Sequence, residues 1–357
     1  MAFYKKKQFW GSIIAIALLV FCVKEITIDE MTSLLQRVNY FYLFLALIFS
    51  ILFIITKGLR WKLILSQQKP LKAWRALSLY SAGQILNIVM PMLTGQIGRM
   101  FLFSKNEGLK KSFIFSTIVL EILFDSLSLI LFLLLTSIAF VFPEKYRFVS
   151  YIIASITFVL IAILYLILHY QSNIENSMQR RLKPKWPSFY IGTKKFIRSF
   201  VKGINLLKSS QHFFGSLGYS IASWITHTMV VYFLLQAFGF QLPFAAAATI
   251  MILNTLALMI PITPGNAGTF EVAVSSALIA FSMGTIGDVG YVGRSDAVLF
   301  ALALHLLDLI PVGVFGYTYL HLENVSIRDI KANHEDENMF DKVSVDGSLI
   351  DNEVKND

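Results

Sequence analysis

Three groups of residues in this chain have types and spacings that could do chemistry. The first is Asn87, Pro91, Gly95 and Arg99. Proline removes a backbone donor and glycine permits positive φ, so the segment turns and can leave amide N–H groups facing an anion. Arg99 beside them would pair with a phosphate. The alternative is a tight interfacial turn from which Arg99 snorkels to lipid headgroups. The second group is Glu121 and Asp125, four residues apart on one helix face within an apolar run. A carboxylate inside a bilayer costs about 2.5–3.5 kcal/mol on insertion scales. Two on one face therefore need a cation, a water-filled cavity or a proton, and pairing with Arg99 or another basic group is the purely structural alternative. The third group is Pro264, Gly265, Gly268 and Glu271, with Asn254 and Thr263 as polar neighbours in sequence. Proline and two glycines break the chain there, and Glu271 falls in the first turn of the next helix. It could serve a ligand or simply cap that helix through its dipole.

His305 and Asp308 are three apart on one face of the last apolar run, the kind of pair a proton relay would need. His227, alone in another apolar run, reads as a core histidine. No HExxH or CxxC spacing implies a metal, and no GxSxG, P-loop or Rossmann fingerprint implies a cofactor or an enzyme. The single cysteine, Cys22, cannot form an internal disulfide and reads as packing.

The elements that must position these residues follow from composition. The chain has 357 residues, 56% hydrophobic and 15% charged, with a mean hydropathy of +0.64. Soluble domains run at about 45–50% apolar and about 25% charged. Disordered, collagen-like and disulfide-scaffold classes are excluded, and an ordinary cytosolic enzyme is disfavoured. Apolar runs occupy 9–23, 40–55, 112–142, 151–168, 214–238, 244–261, 269–283 and 297–320. The first lacks a small-x-small cleavage site and reads as an uncleaved span reaching residue 26 or 28.

Charge sets direction. The net charge is +9, yet 321–357 holds 4 basic and 10 acidic residues, while 171–210 holds nine basic residues against Glu175 alone. Basic excess between apolar runs marks the cytoplasmic side and a membrane surface, with no nucleic-acid partner. Lys57, Arg60, Lys62, Lys69, Lys72 and Arg75 precede the interrupted segment 76–98, and Arg99, Lys105, Lys110 and Lys111 follow it. Both flanks are thus expected in the cytoplasm, so the segment dips in and returns. The segment 244–283, broken by prolines and glycines, reads as a second hairpin entered from outside. The expected fold class is an all-α integral membrane protein. It is a polytopic helical bundle with six full spans and two broken or re-entrant hairpins in an inverted-repeat-like arrangement, a pattern that points to a midplane site. Counting each hairpin arm as a span gives about ten crossings instead. Residues 1–320 form the membrane domain, with a basic cytoplasmic loop at 170–211. Residues 321–357 form an acidic, disordered tail, and both termini lie on the cytoplasmic side of the cell membrane.

Over about residues 5–320 the sequence resembles the lysylphosphatidylglycerol synthase/flippase transmembrane family, the membrane part of bacterial lipid-aminoacylating proteins. Asn87 and Pro91 followed by Gly95 and Arg99, Glu121 with Asp125, and Pro264-Gly265-x-x-Gly268-x-x-Glu271 carry the resemblance. It departs at Gln96, Ile122 and His305, where the family often has an acid or glycine, an arginine, and a nearby arginine. The resemblance implies a non-enzymatic protein that binds a polar-headgroup lipid and moves it between leaflets. That lipid would be an anionic or zwitterionic phospholipid or a lipid-linked intermediate. Its headgroup would be held by Asn87, Pro91, Gly95, Arg99, Glu121, Asp125, Pro264, Gly265, Gly268 and Glu271, with His305 and Asp308 added on their spacing alone. Full-length members carry a large soluble aminoacyl transferase. The longest hydrophilic stretches here, about 40 residues each, are at the lower limit for an independent domain, so a stand-alone membrane domain is expected. The alternatives are a transferase in lipid or lipid-linked glycan synthesis, with Glu121 and Asp125 as acid/base groups or metal ligands, and an accessory scaffold for a partner synthase. No feature specifies an oligomeric state.

Overall fold

The computed structural model describes residues 7–24, 26–66, 68–89, 94–139, 171–181, 183–204, 209–257, 263–284 and 292–322, with single positions between 155 and 170. Pro91, most of the apolar run 151–168 and nearly all of the acidic tail lie outside the described residues. Among those described, every regular element is a helix.

The chain opens with α1, Lys7–Val23, and a short amphipathic α2, Ile28–Arg37. Thr27 caps α2 by accepting from the Glu30 N–H, and the Glu30 carboxylate accepts from the Thr27 N–H. This backbone donor holds the exposed Glu30 carboxyl below the usual range. Helix α3, Tyr40–Leu65, starts at Asn39, whose side chain accepts from the Phe41 N–H. Its apolar run ends at residue 55, where the sequence reading placed a cytoplasmic loop, but the helix continues ten residues further. Lys57 and Arg60 find carboxylates on a neighbouring helix, so the chain has no need to leave the bundle to solvate them.

Helices α4, Ala73–Val89, and α5, Thr94–Glu107, form the expected first hairpin and pack on each other. The stretch assigned to a basic loop from Arg99 onward is instead helical as far as Glu107. The reason is again pairing: Glu107 lies 2.7 Å from both Arg75 Nε and Lys69 Nζ, which ties the end of α5 to the start of α4. Helix α6 spans Lys111–Ala139. The basic stretch 171–210, expected as a loop, forms two helices, α7, Gln171–Arg181, and α8, Pro187–Ile204. Helix α8 lies against α6 and buries Tyr190 and Val201.

The second half contains α9, Ser210–Ala237, then α10, Phe244–Ala257, a 3-10 turn at Pro264–Asn266, α11, Thr269–Gly284, and α12, Arg294–Leu322. Helices α10 and α11 form the second hairpin, and α11 packs along α12. Among the described residues, three helices are long and apolar enough to cross a membrane: α3, α6 over Lys111–Leu135, and α12. The chain is therefore an all-α membrane protein, and the most extensive interface runs between α3 and α9. There Phe233 packs against Tyr42 and Phe49 at ring separations of 6.3 and 5.3 Å.

The hairpins meet where the second one turns. Gly265 has φ +59° and lies against Ile88 at the end of α4, where a Cβ would stand 3.2 Å from Ile88 Cγ2. Gly268, φ +83°, lies against α1 beside the Ala15 carbonyl. The left-handed backbone at both positions explains why glycine occupies them. Helix α12 also presses on α4: a Cβ at Gly316 would stand 2.7 Å from the Ser81 carbonyl oxygen, whereas one at Gly313 meets nothing within 4 Å. Because a backbone oxygen cannot swing aside, Gly316→Val should destabilise the protein by about 1–3 kcal/mol, the usual range for overpacking. Gly313→Ala should be near neutral, and thermal unfolding in detergent measures both.

Candidate functional site

Five charged side chains meet inside the bundle. Lys57 and Arg60 come from α3, Arg99 from α5, and Glu121 and Asp125 from α6. Glu121 sits at the centre. Its Oε1 lies 3.0 Å from Arg60 Nη2 and accepts from the Tyr80 hydroxyl at 3.3 Å. Its Oε2 accepts from Arg99 Nη2 at 2.6 Å and from the Trp61 indole N–H at 2.8 Å. Asp125, one turn on, accepts from Lys57 Nζ at 3.0 Å and from both terminal nitrogens of Arg60. Ser220 of α9 takes a further Arg60 N–H at 2.6 Å. The Arg60 and Arg99 side chains are 0% and 1% exposed.

Aromatic faces complete the enclosure. The Arg99 guanidinium lies 4.4 Å from the Trp61 ring centre and 5.6 Å from that of Tyr80. The Lys57 ammonium lies between Phe53 and Trp224, at 5.3 and 5.4 Å. Both are cation–π contacts, which strengthen on desolvation. The aliphatic stem of Arg99 runs across Gly83 of α4, where a Cβ would stand 2.5 Å from Arg99 Cγ.

The charges do not cancel: three cations face two carboxylates, leaving one positive charge. The donors are not all used either. Arg60 Nε, Arg99 Nε and Arg99 Nη1 are buried with no hydrogen-bond partner. Buried N–H groups are normally satisfied. An anion with several acceptor oxygens matches that surplus in both charge and hydrogen-bonding sense.

Two histidine–carboxylate pairs flank α12. His305 Nδ1 lies 2.7 Å from Glu271 Oε1 and its Nε2 lies 3.0 Å from the Gly265 carbonyl oxygen. Glu271 Oε2 accepts from the Gly268 N–H at 2.6 Å. The second pair joins His227 of α9 to Asp308, with Nε2 to Oδ1 at 3.2 Å. His227 also stacks on Phe53 at 4.5 Å, the same ring that Lys57 covers, so this pair adjoins the charge cluster.

The sequence-predicted residues thus divide. Arg99, Glu121 and Asp125 come together. Gly265, Gly268, Glu271 and His305 form a separate group at the second hairpin, with Pro264 starting the turn. His305 and Asp308, expected as a pair, take different partners. Three residues advance a helix by about 300°, which separates them enough for α11 to claim one and α9 the other. Asn87 donates to Gln84 Oε1 at 2.9 Å, one turn back on α4. Gly95 lies in the first turn of α5. Lys57, Arg60, Trp61, Tyr80, Ser220 and His227 were not anticipated. A signal for two of them existed: Lys57 and Arg60, three apart beyond an apolar run, match the four-residue spacing of Glu121 and Asp125. Among the described residues, no group of three or more His, Cys, Asp or Glu side chains is placed to hold a metal.

A helical membrane protein with a buried, net-positive polar cluster beside a broken hairpin is the class that these observations define. The chain belongs to the family described as the lysylphosphatidylglycerol synthase TM region, which residues 8–316 match. It is also 22% identical over 283 residues to a UPF0104 membrane protein of Methanocaldococcus jannaschii, covering 76% of this chain and 84% of that protein. No solved structure matches.

Glu121→Gln removes the carboxylate shared by Arg60 and Arg99. Leaving buried charges uncompensated costs about 3–5 kcal/mol, so this variant should unfold at markedly lower temperature or denaturant concentration. Tyr80→Phe, which loses one long hydrogen bond to the same carboxylate, should cost about 1 kcal/mol. Parallel unfolding curves in detergent check the ratio.

Proposed function

We propose that this protein binds a lipid with an anionic or zwitterionic headgroup and carries that headgroup between leaflets. The observation that carries the reading is the surplus at the charge cluster: one uncompensated positive charge and three partnerless guanidinium nitrogens. A phosphodiester supplies the missing charge and the missing acceptors. Glu121 and Asp125 have their oxygens engaged by protein donors, so their part is to hold Arg60 and Arg99 in place, and Arg99 is the group that meets the phosphate. Moving a charged group through hydrocarbon is costly; a polar site enclosed by helices lowers that cost by replacing hydration with fixed donors.

The family description and the membrane relative support a lipid setting. In this reading no bond of the lipid is made or broken, so the protein is a carrier and not an enzyme. The two hairpins enter from opposite faces of the cell membrane and meet near its middle, where the Gly265 turn abuts Ile88. The basic helices α7 and α8 lie at the cytoplasmic face with both termini, where about 1 kcal/mol of attraction per Lys or Arg gathers anionic lipid. A partner synthase that makes the lipid would act upstream of this step.

The test is reconstitution into vesicles containing tail-labelled phosphatidylglycerol or phosphatidylethanolamine, with chemical quenching of the outer leaflet. Wild type should expose inner-leaflet label, and Arg99→Ala should slow this by at least about tenfold, the equivalent of ~1.4 kcal/mol on the rate. Equal rates for the two proteins, or wild-type rates no faster than protein-free vesicles, would overturn the proposal.

A further inference from the structure

We infer that Glu271 and His305 form a proton-binding site, and that the bound proton latches the turn Pro264–Asn266 of the second hairpin to α12. Hydrogen-bond parity carries the argument. A carbonyl oxygen can only accept, so the 3.0 Å contact from His305 Nε2 to the Gly265 carbonyl requires a hydrogen on Nε2. A neutral imidazole then has a bare Nδ1, which lies 2.7 Å from Glu271 Oε1. A lone pair does not approach a carboxylate oxygen that closely without a hydrogen between them. The pair therefore holds one proton more than a neutral histidine and an ionised glutamate. Whether it resides on Nδ1 or on Oε1, the pair is neutral overall.

The surroundings fix this arrangement. Phe270 stacks on the imidazole at 4.3 Å, with the planes 13° apart, and holds the ring orientation. The Gly268 N–H holds the other carboxylate oxygen. Helix α10 has no titratable residue, α11 has only Glu271, and the end of α4 that meets the turn offers the neutral Gln84 and Asn87. From α1, Cys22 lies within electrostatic range of both Glu271 and Arg294, the latter at the start of α12. Further along α12, Asp308 is committed to His227 of α9.

When the proton leaves to water, the remaining ring hydrogen stays on Nδ1, held by the ionised Glu271 carboxylate, and the pair changes from neutral to −1. The Nε2 lone pair then faces the Gly265 carbonyl oxygen, and that contact separates. The turn loses its tie to α12, and with it the seat from which Gly265 presses on Ile88 of the first hairpin. Acid thus closes the latch and base opens it. This follows from the protein's own groups and holds whichever lipid the charge cluster handles.

The experiment uses the full-length protein in nanodiscs of phosphatidylglycerol and phosphatidylethanolamine. Hydrogen–deuterium exchange of the amides at 263–272, corrected for intrinsic chemical exchange, is followed from about pH 5 to about pH 8, the range in which histidine pairs titrate. Wild-type protection should fall at least about tenfold across a single transition. In Glu271→Gln the side-chain amide donates to Nδ1 and its carbonyl accepts from Gly268, so protection should stay high and flat. Wild-type protection that does not change with pH, or a wild-type-like transition in E271Q, would overturn the inference. The wild-type protein gives a second readout independent of that variant's folding. The His305 side-chain nitrogen resonances, identified by their loss in H305Q, should show Nδ1 protonated throughout and Nε2 shifting with the same midpoint as the exchange. An unchanging Nε2 signal would equally overturn it.

Discussion

A single carboxylate organises the interior of this protein. Glu121 receives Arg60 and Trp61 from α3, Tyr80 from α4 and Arg99 from α5. Four donors on three helices converge on two oxygens of a fourth helix. Packing between apolar helices in lipid has no hydrophobic drive of its own and relies on close contact and polar links. These links fix where the helices cross and how far each is rotated. The polar atoms that could do chemistry are therefore also the ones that define the bundle.

The same economy appears at both hairpins. In each, two helices pack side by side, and a charged group stands in the second of them: Arg99 in α5 and Glu271 in α11. The two groups then diverge. Arg99 joins a cluster that contains more cations than carboxylates. Glu271 meets a histidine and one backbone N–H, both within its own hairpin and α12. One hairpin thus presents surplus donors while the other closes on itself, and Gly265 against Ile88 joins the two at their tips.

Much of this was legible in the sequence. The apolar runs gave the helices, and the proline and glycine clusters gave both hairpins. The membrane class and the family followed from composition and three motifs. The extent of α3 and α5 was not legible, because hydropathy ends a span at the first lysine or arginine. Lys57, Arg60 and Arg99 continue their helices only because carboxylates 22 to 68 residues away meet them, and pairing over that distance leaves no local trace. The partner of His305 was misjudged for the opposite reason. Asp308 is near in sequence, and the competing carboxylate, Glu271, is 34 residues back on another helix. Trp61 and Tyr80 look like ordinary core aromatics until their polar atoms are seen on Glu121.

The pairing of α3 with α6 also bears on how the chain is made. Synthesis delivers Lys57 and Arg60 first, and Asp125 follows 65 residues after Arg60. At about 5–20 residues per second, that interval lasts several seconds. Throughout it, a hydrophobic segment bearing two unmatched cations waits at the translocation machinery, each cation opposing entry into lipid by about 2.5–3.5 kcal/mol. The segment becomes a comfortable resident of the bilayer only when its acidic counterpart emerges, so the two enter as a unit, and the nascent chain must be sheltered until they can.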